Sequence, residues 1–126
     1  MNPWLIIAAV LVVFIAAVHA ILGERYIVLR LWNQDNLPKL LGSDLFTKRV
    51  LRFAWHLTTV AWFGFAAILL LSAGQNGGMN TVSILNVIGI TFLLSALLSL
   101  IITRGRHISW IVFLAIAVTS WLGSQF

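Results

Sequence analysis

Residues Thr47 to Leu71 read TKRVLRFAWHLTTVAWFGFAAILLL, a basic anchor that runs directly into a long apolar span carrying one histidine. Lys48, Arg49 and Arg52 stand where they reach headgroups, and the roughly 20 residues after them suffice to cross a hydrocarbon core of about 30 Å. This is the pattern of a transmembrane helix. His56 lies one turn beyond Arg52. An ionisable side chain at that depth is costly, so it marks either a functional site or a packing group held by a hydrogen-bond partner.

The rest of the chain agrees with that reading. Of its 126 residues 61% are hydrophobic and 9% charged, with a mean hydropathy of +1.04, where a soluble domain carries about 25% charged residues. The formal charge of +5 does not point to nucleic acid, because the basic residues sit at the ends of apolar spans rather than in a soluble patch or recognition motif. With no cysteine, disulfides, thiolate metal sites and thiol catalysis are excluded.

Taken in order, the first span runs from Trp4 to about Leu22, with Pro3 suited to the first turn of a helix. Val18, His19 and Ala20 loosely resemble a signal-peptide cleavage site. No Lys or Arg precedes the apolar run, however, and Arg25 and Arg30 follow it, the reverse of signal-peptide polarity. A retained span with its N-terminus outside is expected. The connection over residues 23–49 is amphipathic, and Leu22, Tyr26 and Leu29 fall at helical spacing, so the first helix is expected to continue toward Trp32. Asn36, Pro38 and Gly42 then predict a short helix, and Ser43 or Asp44 the cap of the next one. The connection is expected to lie along the headgroups.

The second span covers about residues 50–72 and ends in the turn AGQNGGMN, the third covers 81–103, and the fourth covers 108–123 after the turn Arg104 to His107. The predicted fold is therefore all-α: one polytopic membrane domain over 1–126, a four-transmembrane-helix antiparallel bundle. All eight Lys and Arg residues fall in or beside the first connection or in the last turn. By the positive-inside rule both face the cytoplasm, both termini lie outside, and the protein is expected in the bacterial inner membrane. From Glu24 to Arg52, six bases against three acids give a net +3. Arg25, Arg30, Lys48, Arg49 and Arg52 are the expected lipid-facing bases, with anionic headgroups as their partners.

All three histidines fall near that cytoplasmic end. Depth estimates at about 1.5 Å per residue put His19 and His56 within a turn of each other on opposed helices. The pair reads as a shared metal site, two axial haem ligands, a proton-handling pair, or two separate packing groups. Glu24 is a candidate third metal ligand and His107 a more distant one. Five residues of regular helix turn Glu24 about 140° away from His19, so the two share a face only if the helix is broken near Gly23. A salt bridge from Glu24 to Arg25, Arg52 or another nearby base is the simpler expectation. On the third helix Ser83, Thr91, Ser95, Ser99 and Thr103 form an i+4 ridge, which reads as close helix packing or as a polar lining. Ala16 with Ala20, Thr58 with Ala61 and Gly64, and Ala115 with Thr119 and Gly123 are further small-residue seams.

Four short helices beginning MNP invite comparison with the small multidrug resistance transporters, which look organised around a glutamate within the first helix. Here the first helix offers His19 and reaches Glu24 only at its boundary. The stretches HAILGER and RVLRFAWHLTTVAWFG more nearly resemble small uncharacterised four-span bacterial inner-membrane proteins, a resemblance that implies architecture and no activity. The expected function is handling of an ion, a divalent metal or a proton at a His-centred site in the cytoplasmic leaflet. A non-catalytic partner subunit, joined to a second copy or another membrane protein, and a haem-binding electron-transfer protein are the alternatives. An enzyme ranks below them, since no nucleophile and base pair is apparent.

Overall fold

The computed structural model describes residues 1–74 and 80–125, so the expected turn over residues 75–79 lies outside the described residues. Four helices form: α1, Pro3–Trp32; α2, Asp44–Ala73; α3, Thr81–Ile102; and α4, Ser109–Gly123. The first three are long and apolar enough to cross a membrane, as in a membrane protein. α4 has 15 residues, and at about 1.5 Å per residue it falls short of a hydrocarbon core of about 30 Å. The four predicted spans are thus three helices of crossing length and one shorter apolar helix.

Side chains set the helix starts. Asn2, Ser43 and Asn80 stand in extended conformation at the N-caps and accept from the backbone N–H groups of Trp4, Leu45 and Ser83 respectively, which satisfies donors that a helix leaves unpaired. Of the two candidates for the cap of α2, Ser43 takes the role. Asp44 occupies the first turn and pairs with Lys48 at 3.5 Å.

α1 runs to Trp32 as expected, with one irregularity. From Glu24 to Val28 the backbone widens into a π-helical turn, in which the Leu29 N–H donates to the Glu24 carbonyl five residues back. The predicted short helix between Asn36 and Gly42 is not formed. Leu41 and Gly42 both adopt positive φ, 52° and 77°, the requirement of a type I′ turn, and the Ser43 N–H donates to the Leu40 carbonyl at 3.2 Å. The loop is pinned to α2 by Thr47, whose hydroxyl accepts from the Leu40 N–H at 3.1 Å and donates to the Pro38 carbonyl. Tertiary bonding to Thr47 overrides the local capping signal at Asn36.

Sequence neighbours pack on one another: α1 on α2, α2 on α3, and α3 on α4. At one end the Asn2 N–H donates to the Ala73 carbonyl at 3.0 Å, and at the other Glu24 meets Arg52, so α1 and α2 are antiparallel. Small residues make the contacts close. Ala16 and Ala117 are fully buried, a Cβ on Gly64 would stand 2.6 Å from the Thr91 hydroxyl, and the Trp121 indole covers Gly89. Large apolar side chains such as Val10, Phe14, Phe65 and Ile101 are instead exposed. That arrangement suits a hydrocarbon solvent, where helices associate through small residues rather than through apolar burial.

On the α3 ridge Thr91 and Ser95 border a cavity of about 300 Å³ shared with α2 residues such as Ala61 and Gly64. Ser95, Ser99 and Thr103 are buried. The hydroxyls of Thr91, Ser95 and Thr103 donate to the carbonyl four residues back, while the Ser99 hydroxyl meets that of Ser109 on α4 at 2.6 Å. The seam expected from Ala115, Thr119 and Gly123 is exposed; α4 buries Ala117 instead.

Candidate functional site

The polar groups between α1 and α2 form two layers. In the inner one His19 lies flat on the Trp55 indole, with ring centroids 4.4 Å apart and planes 5° from parallel. Its Nε2 is 3.1 Å from the Trp55 carbonyl, and the Trp55 Nε1–H donates to the His19 carbonyl at 3.0 Å. Since a carbonyl only accepts, Nε2 carries a proton and donates. Each residue thus bonds the other's backbone while their rings stack, which joins the helices at one level. This works because residue 23 is glycine: the indole occupies the place that a Cβ on Gly23 would take.

One turn further on, beyond the π-helical start, lies the second layer. Glu24 reaches across to α2, where its Oε2 stands 2.7 Å from the His56 Nε2 and its Oε1 pairs with the Arg52 guanidinium. An ionised carboxylate is an acceptor only, so the His56 Nε2–H donates. Arg52 also lies over the Trp32 ring, its Cζ 5.6 Å from the centroid. The guanidinium is therefore held from two sides, by charge and by an aromatic face. The side chains of Glu24 and His56 are 22% and 21% exposed, against 39% for Arg52, so the carboxylate and imidazole are the enclosed members.

Each histidine expected at a metal site has a separate partner. His19 turns to Trp55 and His56 to Glu24. His107 Nδ1 accepts from the Ser109 N–H at 3.3 Å and lies 2.7 Å from the Ser109 hydroxyl, which ties it to the start of α4. Among the described residues no group of three or more His, Cys, Asp or Glu side chains is placed to hold a metal ion. A metal or haem bound through the Nε2 atoms of His19 and His56 would replace both of these bonds. The salt bridge expected between Glu24 and Arg52 is present, and His56 joins it.

The other basic residues divide by direction. Arg25 and Arg30 are exposed, with Arg25 over Tyr26, and Lys48 pairs with Asp44. Arg49 and Arg52 turn toward a cleft of about 420 Å³ that Arg104 reaches from the end of α3 and His56 borders. Arg104 escaped the sequence reading as a site residue. Its turn has the bonding of a Schellman motif, with the Gly105 N–H donating to the Leu100 carbonyl at 2.9 Å and the Arg104 N–H to that of Ile101 at 3.4 Å. The position that usually takes glycine holds Arg104, at φ 52°.

Compared with family models, curated proteins and solved structures, the chain gives no match, so the functional argument rests on this geometry.

Proposed function

We propose that this protein is a multi-pass protein of the bacterial inner membrane, its termini outside and its basic end at the cytoplasm, that exchanges protons at the Glu24, His56 and Arg52 cluster in the cytoplasmic leaflet. The observation that carries the reading is the 2.7 Å contact between His56 and Glu24. An imidazole is the side chain whose unperturbed titration falls near neutral pH, and here it is bonded through one nitrogen to a carboxylate while it borders an open cleft. A proton taken up at His56 would face the Glu24 charge, which Arg52 partly neutralises. Orientation is supported by the placement of all eight Lys and Arg residues at the same end.

The test is ¹⁵N NMR of histidine-labelled protein in lipid nanodiscs. The His56 Nε2 proton should exchange with solvent across the cleft, and Glu24→Gln should change the hydrogen-bond state seen at Nε2. An Nε2 proton that does not exchange with solvent, or imidazole signals identical in the variant, would overturn the reading.

A second reading, that of an assembly subunit, is favoured by the exposed Ala115, Thr119 and Gly123 on α4, a small-residue series of the kind that brings membrane helices together. Crosslinking from a cysteine placed at Thr119 separates the two, since efficient capture of a neighbouring helix in native membranes supports assembly and its absence counts against it.

A further inference from the structure

We infer that the cleft between the end of α1, the start of α2 and the α3–α4 turn binds a phosphate-bearing anion, of the kind an anionic lipid headgroup presents. This rests on the membrane placement proposed above, and not on proton exchange at His56.

Three arginines line the cleft, Arg49, Arg52 and Arg104, together with His56. Against them stands one nearby carboxylate, Glu24, which already pairs with Arg52 and His56. Among the described residues no salt bridge reaches Arg49 or Arg104. Like charges drawn from two separate elements into one concavity repel unless an anion joins them. Guanidinium is the group best matched to phosphate oxygens, which it meets through paired N–H donors. Trp32, Ile101 and Ile102 supply an apolar wall, against which a glycerol backbone or the start of an acyl chain can rest. Basic pockets between helices on the cytoplasmic side are the setting in which membrane proteins bind anionic headgroups.

The backbone at Arg104 is an independent observation. A non-glycine residue in the left-handed region is strained, and glycine at this helix-ending position would avoid that strain. The chain has glycine at the next position, Gly105, itself at φ 73°, yet has arginine at the strained one. The strain accompanies a guanidinium at the cleft.

That strain also supplies a clean test, because Arg104→Gly removes the charge while relaxing the turn. The full chain would be purified in a neutral detergent and its thermal unfolding followed with added phosphatidylglycerol, phosphatidylcholine or inorganic phosphate. Phosphatidylglycerol should raise the melting temperature of the unaltered protein and phosphatidylcholine should not. Inorganic phosphate distinguishes the source: protection by both anions assigns the phosphate group itself, protection by phosphatidylglycerol alone assigns the lipid. Arg104→Gly should melt at or above the unaltered protein without lipid, yet need at least about tenfold more phosphatidylglycerol for the same protection. Arg49→Gln should show the same loss, and Arg25→Gln, outside the cleft, should not. Equal protection by phosphatidylcholine, no protection by either anion, or an equal loss in Arg25→Gln would overturn the site. A bound anion with an unresponsive His56 would sink only the proton-exchange reading.

Discussion

The contact between α1 and α2 and the contact between α3 and α4 are both lined with polar side chains, yet they use them in opposite ways. Along α3 the hydroxyls of Ser95 and Thr103 bond within their own helix, and only Ser99 reaches a side chain on α4. These groups are short and already satisfied, so they let the helices approach without specifying a partner. Between α1 and α2 the polar groups cross: His19 to Trp55, Trp55 to His19, and Glu24 to His56 and Arg52. One interface is a fit of shapes. The other is a set of paired functional groups, one pair of which borders an open cleft.

Substitutions can break this contrast, and the largest effect is expected at Gly23. A valine there collides with the Trp55 indole and should cost about 3 kcal/mol by overpacking, measured by unfolding in mixed detergent. A cost below that of Glu24→Ala would mean the indole moves aside freely and the inner layer is not a fixed joint.

Glu24→Ala comes next. It leaves an imidazole and a guanidinium without their acceptor, and because Arg52 is 39% exposed the loss is discounted for solvent to about 2 kcal/mol. No change in unfolding would show the cluster to be a surface ion pair of little consequence.

A smaller effect is expected at Ser99→Ala, where one bond to Ser109 is lost and the helices stay in contact. About 0.6 kcal/mol is typical of such interhelical bonds. A loss as large as that of Glu24→Ala, in the same unfolding measurement, would erase the distinction between the interfaces.

Thr59 should show the smallest effect. Its buried hydroxyl has no partner among the described residues, and the carbonyl four residues back, that of Trp55, is the one His19 approaches at 3.1 Å. Thr59→Val should be neutral or slightly stabilising, since removing an unsatisfied buried group carries no cost. Clear destabilisation in the same assay would reveal a partner for it.

How much of this could be read in the chain depends on what each feature answers to. Helix positions followed from hydropathy, and Ser43 and Pro3 marked starts by local chemistry. Glu24 meeting Arg52 followed from charge and depth. The pairing of His56 with Glu24 rather than with His19 did not, because counting residues from a membrane boundary places a side chain in depth and says nothing of its direction around the helix. The stacking of His19 on Trp55 was hidden for a related reason, since it depends on a missing Cβ on the facing helix. Arg104 looked like one more topology-determining base until the turn placed it among the residues lining the cleft.

The central claim is that Glu24 and His56 act as one unit, apart from His19. Two double-mutant cycles on unfolding free energy test it most directly, one pairing Glu24→Gln with His56→Gln and the other His19→Gln with His56→Gln. The account predicts a coupling of about 1 kcal/mol or more in the first cycle and additivity within about 0.5 kcal/mol in the second. Additivity between Glu24 and His56, with strong coupling between His19 and His56, would contradict it.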